Sequence, residues 1–293
     1  MIKENIVSLV DGFTVELNTK VRHKLNSIPL DKKNNVYITY LPDATENDIL
    51  ETVDFVSKQE LTPITHLPAR TMKDLDHVSD FLKELRNRTD SKKILVIGGG
   101  GNQNGSVSSS LEILECGLLK DNDFEEIGIA GHPEGSPDID QNTVNEFLNK
   151  KYELSKDKNL NLELVTQFFF NAEPFIKWCK FLDNSNIKLP VRVGFPGPAS
   201  FKTLLNFGIM SGVGNSLSFL KKNSSKVTDL LTKTSNDEMF IELANFSKEQ
   251  SSFKNFHCFP FGGFEKTCHW LNALQNGDFT MENNKIVLHN KIF

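Results

Sequence analysis

The sequence lacks the patterns that mark several common classes of protein. Its four cysteines lie far apart with no Cys-x-x-Cys pair, which indicates neither a disulfide framework nor a thiolate zinc site. The seven histidines include no His-Glu-x-x-His pattern, so we expect no metal centre. No apolar run approaches the ~18 residues that a membrane span needs. We therefore expect no membrane partner, and cysteines that are buried as free thiols.

An excess of positive charge is also missing. The chain has 33 lysines and arginines against 38 acidic residues, a formal net charge of -5, and its lysines are interspersed with aspartate and glutamate. Nucleic acid is therefore not an expected partner. The first residues lack the basic and apolar segments of a signal peptide, which predicts a cytoplasmic protein. Assembly into a homo-oligomer stays open.

A repeated order of strand and helix is the main structural signal. Short runs rich in β-branched and aromatic residues recur, and most precede a segment with helical periodicity. In a chain of 293 residues this order predicts an α/β fold, a TIM-type (β/α)₈ barrel that forms a single domain over residues 1–293. A doubly wound open sheet shares the pattern and is the competing architecture. The predicted strands are Phe13–Leu17, Val36–Tyr40, Pro63–Leu67, Ile94–Ile97, Ile127–Ala130, Leu164–Phe170, Val191–Gly194 and Phe256–Phe259.

Helical periodicity fills most of the intervals between these strands. Thr45 followed by Asp48 is typical of an N-cap with an acidic residue three positions later. The interval before the last strand is too long for one helix, so we expect extra helices between strands seven and eight. The predicted helices include Met72–Arg88, Val107–Leu119, Ile139–Leu154, Pro174–Leu182 and Ala199–Phe207, with Val227–Leu231 and Met239–Ala244 as the extra ones.

Polar residues late in the predicted strands are candidates for a functional site. In a parallel barrel, side chains from many strands converge where the strands end. Glu16 lies in an apolar run between Val15 and Leu17, which favours an acid at the barrel mouth over an ordinary strand-end charge. Thr39, His66 and Gln167 hold similar late positions in strands two, three and six. Each of these could be structural alone, and their repetition across strands favours a site.

The loops after the strands carry further candidates. Gly98–Gly105, after strand four, would let a ligand approach the backbone closely, although a flexible surface turn is an equal alternative. Pro133 and Pro137, which directly follow His132 and Ser136, predict a stiff loop after strand five, with Asp138 as a candidate cap for the next helix. The apolar segments 194–201 and 259–263 are typical of walls for planar rings, or of core.

Three of these segments resemble one known family in order and spacing. They are 166–171 with Glu173 and Pro174, then Ala130-Gly131-His132-Pro133-Glu134, then 196–202. Together they resemble the methylenetetrahydrofolate reductase family, whose catalytic domain is a flavin-bearing (β/α)₈ barrel. The resemblance runs from about Phe13 to Trp270. It does not include the regulatory C-terminal domain of eukaryotic members, so the sequence resembles the short bacterial form of the family.

The resemblance implies an activity and a role for each candidate residue. FAD would be the cofactor, and NAD(P)H would reduce it so that 5,10-methylenetetrahydrofolate and 5-methyltetrahydrofolate interconvert, a step of one-carbon metabolism that serves methionine biosynthesis. Glu16 corresponds to the family's catalytic acid. Gln167, Phe201 and Phe259 correspond to residues that bind the folate substrate. The positions that correspond to cofactor-binding residues are Thr39, His66, Gly98, Gly99, Gly100, Ala130, His132, Ser136 and Lys151.

Three positions depart from the family pattern. Gly100 stands where an aspartate is usual, Ser136 where a histidine is usual, and Phe259 where many members have tyrosine. A charge ~4 Å away at an effective dielectric constant near 20 is worth roughly 4 kcal/mol before screening. Without the aspartate that Gly100 replaces, a cationic folate intermediate would be less stable. The reduced flavin would also lose a repulsive neighbouring charge, which favours oxidation of 5-methyltetrahydrofolate. We therefore hypothesise a weakened or reversed direction, as in methyl-group catabolism.

Two other functions remain compatible with these residues. A folate-dependent one-carbon or methyl transferase, or a folate-binding protein, could keep the folate pocket without a flavin. A non-enzymatic partner on a degenerate barrel is the third alternative. Retention of both Glu16 and Gln167 disfavours complete loss of the site. A yellow colour near 450 nm, typical of oxidised flavin, separates the first function from the others.

Overall fold

A closed barrel of eight parallel strands forms the centre of the protein. The computed structural model describes residues 2–100, 102–136, 139–210, 237–248, 250 and 252–290. Each strand pairs with the next one in the chain, and β8 pairs with β1 to close the cylinder. This closure confirms the predicted TIM-type fold and excludes the open sheet. The strands are β1 (Thr14–Asn18), β2 (Asn35–Thr39), β3 (Pro63–Pro68), β4 (Lys93–Ile97), β5 (Glu126–Gly131), β6 (Asn161–Thr166), β7 (Val191–Pro196) and β8 (Phe253–Phe259).

Helices surround the barrel and bury their apolar faces against it. The helix Glu46–Lys58 begins with the predicted cap: Thr45 Oγ1 accepts from the Asp48 N–H at 3.2 Å, and Asp48 accepts from the Thr45 N–H at 2.9 Å. The helices are Ile2–Val10, Glu46–Lys58, Leu75–Arg88, Ser110–Glu115, Leu118–Asp121, Gln141–Asp157, Ala172–Asn184, Phe201–Met210, Asp237–Phe246 and Phe264–Gln275.

Some predicted boundaries are wrong for identifiable reasons. The strand predicted as Leu164–Phe170 ends at Thr166, because the chain then leaves the sheet and carries Phe168 and Phe170 into a separate aromatic cluster. The helix predicted as Val107–Leu119 is divided at Gly117, whose φ of +86° ends one helical segment and begins the next. One extra helix occurs as Asp237–Phe246, and the other, Val227–Leu231, lies outside the described residues.

Several elements were absent from the sequence prediction. The helix Ile2–Val10 buries Ile6 and Val10 completely, a 3₁₀ helix spans Thr19–Ser27, and a hairpin pairs Phe279–Glu282 with Lys285–Leu288. The last helix, Phe264–Gln275, is also new. The N-terminal helix is attached to the hairpin because Lys3 Nζ donates to the Phe279 carbonyl at 2.8 Å.

A buried charge network fills one part of the barrel interior. Arg192 Nε donates to Glu163 Oε1 at 2.6 Å, and Arg192 Nη1 donates to Asn255 Oδ1 at 2.7 Å. Tyr37 and Lys254 also donate to the Glu163 carboxylate, at 3.2 and 2.8 Å. Burial alone would raise the pKa of Glu163, but the Arg192 and Lys254 cations outweigh it and hold that pKa below its usual value. Glu163 is therefore ionised at neutral pH and depends on its partners.

We expect Glu163→Gln to destabilise the protein strongly, because it leaves the Arg192 guanidinium buried without its counter-charge. Removing one partner of a buried pair costs about 3–5 kcal/mol. Urea unfolding at pH 7 measures the change. The matched control is Glu153→Gln, since Glu153 forms an exposed ion pair with Lys156 at 2.8 Å. Equal unfolding midpoints for the two variants would contradict this account.

Candidate active site at the carboxyl ends of the strands

Glu16 lies at the centre of a cluster of polar side chains from four strands. His257 Nε2 is 3.4 Å and His66 Nε2 is 3.6 Å from Glu16 Oε1, while Thr39 Oγ1 donates to Glu16 Oε2 at 3.5 Å. The Glu16 side chain is 16% exposed, against 7% for His66 and 0% for His257. Glu16 is therefore the member of the three that solvent or a ligand can reach most easily.

His257 belongs to this cluster and was not among the predicted site residues. Its Nδ1 lies 2.9 Å from Thr14 Oγ1, which leaves Nε2 facing Glu16. The Tyr37 ring meets the imidazole edge to face, with centroids 4.5 Å apart. The only sequence signal was a histidine within the predicted eighth strand, Phe256–Phe259. Once β8 is paired with β1, that position faces Thr14 across the barrel closure.

The electrostatics of the cluster keep Glu16 charged and His66 neutral. Burial alone would raise the pKa of Glu16, but the hydrogen bond from His257 and the neighbouring His66 and Thr39 bring the net pKa below its usual value. Burial lowers the pKa of His66 to about 4. At neutral pH the cluster thus contains an ionised Glu16 beside a neutral His66. A carboxylate in this position can attract a cation or accept a proton.

An aromatic cluster adjoins the carboxylate. Phe259 contacts the His257 ring, with centroids 4.9 Å apart, and it contacts Phe168 at 5.4 Å and Phe261 at 5.7 Å. Phe201 packs on the same cluster. The segments predicted to be walls for rings are therefore brought together beside Glu16. Part of this surface stays open, because Phe259 and Phe261 are only partly buried.

The glycine-rich loop after β4 is hydrogen-bonded to the loop after β3. The Arg70 N–H donates to the Gly98 carbonyl at 3.0 Å, and the Asn104 N–H donates to the Arg70 carbonyl at 2.7 Å. A Cβ on Gly105 would lie 2.0 Å from the Lys73 carbonyl oxygen, so glycine is required where the loops touch. This hydrogen bonding disfavours the alternative of a flexible surface turn.

A cavity of about 740 Å³ opens beside this loop, at the carboxyl ends of β4, β5 and β6. Gly98 and Gly100 face open space, because a Cβ on either would meet no heavy atom within 4 Å. Apolar side chains, hydroxyls, amides, one imidazole and the cations Arg70 and Lys151 form the wall, and the described lining residues include no carboxylate. The predicted residues on this wall are Gly98, Gly99, Gly100, Ala130, His132, Ser136, Lys151 and Gln167.

The predicted site residues thus form two neighbouring groups. One lines the cavity, and the other gathers Glu16, Thr39 and His66 with His257 and the phenylalanines. Thr39 and His66, predicted to contact the cofactor, lie beside Glu16 and are not among the described lining residues. The two groups are linked through the chain, since Gln167 lines the cavity and Phe168 contacts Phe259.

Two buried polar atoms of the site have no hydrogen-bond partner among the described residues. They are Nε2 of His66 and Nε2 of Gln167. Buried polar atoms are nearly always satisfied, so an unpaired one indicates a ligand or an ordered water. On the cavity wall, burial lowers the pKa of His132 to about 4 and that of Lys151 to about 8. His132 is therefore neutral at pH 7, and Lys151 is mostly charged.

The helix predicted to follow the β5 loop is capped at a different residue from the one expected. Asp140 accepts hydrogen bonds from the N–H groups of Asn142 and Thr143, at 3.0 and 3.1 Å. Asp138, the predicted cap, lies outside the described residues.

No helix within the described ranges is long and apolar enough to cross a membrane. Those same ranges hold no group of three His, Cys, Asp or Glu residues arranged for a metal ion.

Comparison with known proteins supports the fold. No protein-family profile matches the chain. The structure is similar to that of an uncharacterized protein from Clostridium thermocellum that binds two copies of 5-methyl-5,6,7,8-tetrahydrofolic acid, with a TM-score of 0.57 and 14% identity over 90% of this chain and 93% of that chain. A tryptophan synthase from M. tuberculosis aligns with a TM-score of 0.41 and 12% identity over 72% of this chain and 85% of that chain, too weakly to support any conclusion.

We expect the stability of the protein to fall as the pH drops from 6.5 towards 4. The folded state keeps His66 and His132 neutral down to pH about 4, whereas the unfolded chain protonates histidine near its ordinary pKa of 6.5. The unfolded state therefore binds more protons in this window, and each histidine contributes a slope of ~1.4 kcal/mol per pH unit. His66→Gln and His132→Gln should each remove the contribution of one histidine to the slope of unfolding free energy against pH. The double variant should remove both contributions. Urea unfolding at closely spaced pH values tests this, and slopes that match the wild type would contradict it.

Proposed function

We propose that this protein is a flavin-dependent oxidoreductase that interconverts 5,10-methylenetetrahydrofolate and 5-methyltetrahydrofolate with NAD(P)H. The observation that carries the proposal is that eight predicted site residues, from β5, the loops after β4, β5 and β6 and the helix Gln141–Asp157, line one cavity. Glu16, Thr39 and His66 form a second group at the same end of the barrel. Folate as the ligand is further supported by the similar Clostridium thermocellum protein, which binds two copies of 5-methyl-5,6,7,8-tetrahydrofolic acid.

The cavity fits a ligand with a planar ring and an anionic tail. Gly98 and Gly100 leave the backbone open, Gln167 offers an unpaired buried amide, and Lys151 offers a positive charge. These residues, with Ala130, His132 and Ser136, would hold FAD. A bound flavin would supply hydride transfer between NAD(P)H and the folate, which protein side chains cannot carry out themselves.

Glu16 would act on the folate in two ways. As a carboxylate it stabilises the cationic iminium form of the substrate, because an opposite charge nearby is worth several kcal/mol in a site shielded from water. When a pterin covers its remaining exposed surface, desolvation raises the pKa of Glu16 and lets it hold the proton that N10 of the folate receives when the bond between N10 and the methylene carbon breaks. His257 and Thr39 hold the carboxylate in place during both steps.

The charges of the cavity support one direction of the reaction. Gly100 puts no side chain where the methylenetetrahydrofolate reductase family has a carboxylate, and Lys151 and Arg70 bring positive charge to the described wall. Positive surroundings would stabilise a bound flavin in its reduced form and so favour its reduction by 5-methyltetrahydrofolate. We therefore propose that 5-methyltetrahydrofolate is oxidised, as in methyl-group catabolism, and that NAD(P)+ is the electron acceptor.

A flavin-free folate protein is the second candidate. The site offers two separate ring-binding surfaces, the cavity and the aromatic cluster around Phe168 and Phe259. The similar protein that holds two folate molecules favours this alternative for the same reason. In that case the cavity would hold a second folate in place of FAD.

The visible spectrum of the purified protein separates the two candidates. We expect a yellow protein that absorbs near 450 nm and is bleached anaerobically by 5-methyltetrahydrofolate faster than by NADH or NADPH. A colourless protein that takes up no added FAD but binds 5-methyltetrahydrofolate would establish the flavin-free alternative. Bleaching by NAD(P)H at ordinary catalytic rates, with none by 5-methyltetrahydrofolate, would show that the proposed direction is wrong.

Glu16→Gln tests the role of the carboxylate. We expect this variant to keep its flavin and its bleaching by NAD(P)H, but to lose roughly 10²–10⁴-fold in the rate of the folate half-reaction. Stopped-flow measurement of the two half-reactions separates these effects. Glu84→Gln is the control, because Glu84 is an exposed carboxylate on the helix Leu75–Arg88. Equal folate rates in both variants would exclude Glu16 from the chemistry.

A further inference from the structure

Arg70 lines the cavity but was not among the predicted site residues. It lies in the short 3₁₀ turn Ala69–Thr71 that directly follows β3. Its N–H and its carbonyl are both hydrogen-bonded to the glycine-rich loop, at 3.0 and 2.7 Å. The backbone that carries this guanidinium is therefore fixed relative to Gly98. A fixed arginine at a cavity wall is the arrangement that oxyanion recognition uses.

The charges of the cavity wall are unbalanced. Its described lining residues include the cations Arg70 and Lys151 and no aspartate or glutamate, in a chain whose net charge is -5. Among the described residues, neither side chain forms an ion pair or hydrogen bond, although most other arginines and many lysines of the chain do. Charged groups inside a cavity are normally paired, so the missing partner is expected to come from a ligand.

Polar groups around the two cations fit the same kind of ligand. Ser110 brings a hydroxyl donor to the wall, and Asn102 brings an amide donor. The Ser108 and Ser109 hydroxyls donate to the Glu112 carboxylate, and Gln103 Nε2 donates to the Gly105 carbonyl at 2.7 Å. His132 is neutral at pH 7, because burial and the nearby Lys151 lower its pKa to about 4, so it adds no further cation. The wall therefore offers an anion two cations and neutral donors, while the Glu112 carboxylate is engaged by the Ser108 and Ser109 hydroxyls.

We propose that Arg70 is an anion-binding residue that, together with Lys151, selects ligands carrying a phosphate or carboxylate group. This inference rests on the proposed function for the identity of the ligand, since the anion can be a phosphate of the flavin or a glutamate carboxylate of the folate. The planar guanidinium can bind either group with two parallel hydrogen bonds. The ring of the ligand would then lie towards Gly98, Gly100 and Gln167.

Paired ligands with and without the anionic group test this proposal. The titrations use FMN and FAD against riboflavin, and 5-methyltetrahydrofolate against 6-methyltetrahydropterin, which lacks the glutamate. They are performed on the wild type, Arg70→Gln, Lys151→Gln and the charge-matched control Lys180→Gln, where Lys180 is an exposed lysine on the helix Ala172–Asn184. We expect Arg70→Gln to weaken the binding of one anionic ligand about tenfold or more, and the binding of its neutral counterpart less than about twofold.

Each outcome has a defined meaning. If Arg70→Gln lowers the affinity for FMN and FAD alone, the bound anion is the flavin phosphate. If it lowers the affinity for 5-methyltetrahydrofolate alone, the bound anion is the glutamate carboxylate. Equal weakening of anionic and neutral ligands, or no weakening, overturns the role of Arg70 while leaving the proposed function intact. If the wild type binds none of these ligands, the proposed function fails, and titration with inorganic pyrophosphate decides about Arg70. Pyrophosphate binding that Arg70→Gln abolishes would support the anion site, and binding that is absent or unchanged would overturn it.

Discussion

The closure of the barrel between β1 and β8 is the constraint on which the candidate site depends. Only Thr14–His257 and Val15–Cys258 are paired in this contact, yet it brings residues more than 240 positions apart into one polar cluster. The bond between Thr14 and His257 reinforces the contact with a side-chain interaction. Without this closure, the carboxylate of Glu16 would face solvent and would lose its hydrogen bond from His257. The geometry of the acid is therefore a property of the cylinder as a whole.

The sequence predicted the barrel and the positions of all eight strands, because alternating short apolar runs and amphipathic helices report burial directly. Glu16 and Gln167 were identifiable for the related reason that a polar residue is conspicuous in an apolar run. His257 was not, since its partner Thr14 lies 243 positions away and nothing local connects them. Arg70 carries no local signal in the sequence, and its place on the cavity wall depends on hydrogen bonds to the loop after β4. Contacts of this kind become visible only when the strands are assembled.

Two kinds of buried polarity coexist inside this cylinder. The Arg192–Glu163 pair is saturated by Asn255, Tyr37 and Lys254, which suits a structural role. The groups nearer the cavity are unsaturated: His66 and Gln167 each retain an unpaired nitrogen, and Arg70 and Lys151 have no counter-charge among the described residues. Unpaired buried atoms also occur away from the site, at Asn34 and Ser57. The candidate site differs from those places because it combines unpaired nitrogens with two cations that have no counter-charge among the described residues.

The saturated network around Arg192 determines from which end of the barrel a ligand can reach Glu16. Because these side chains and the apolar layer of Tyr37, Ile64, Leu95 and Val165 fill the interior, the cylinder offers no passage from one end to the other. Compounds that reach Glu16 must therefore approach from the carboxyl ends of the strands, where the phenylalanines lie. The cavity opens at the same end. The filled interior thus leaves one face of the barrel for the exchange of ligands.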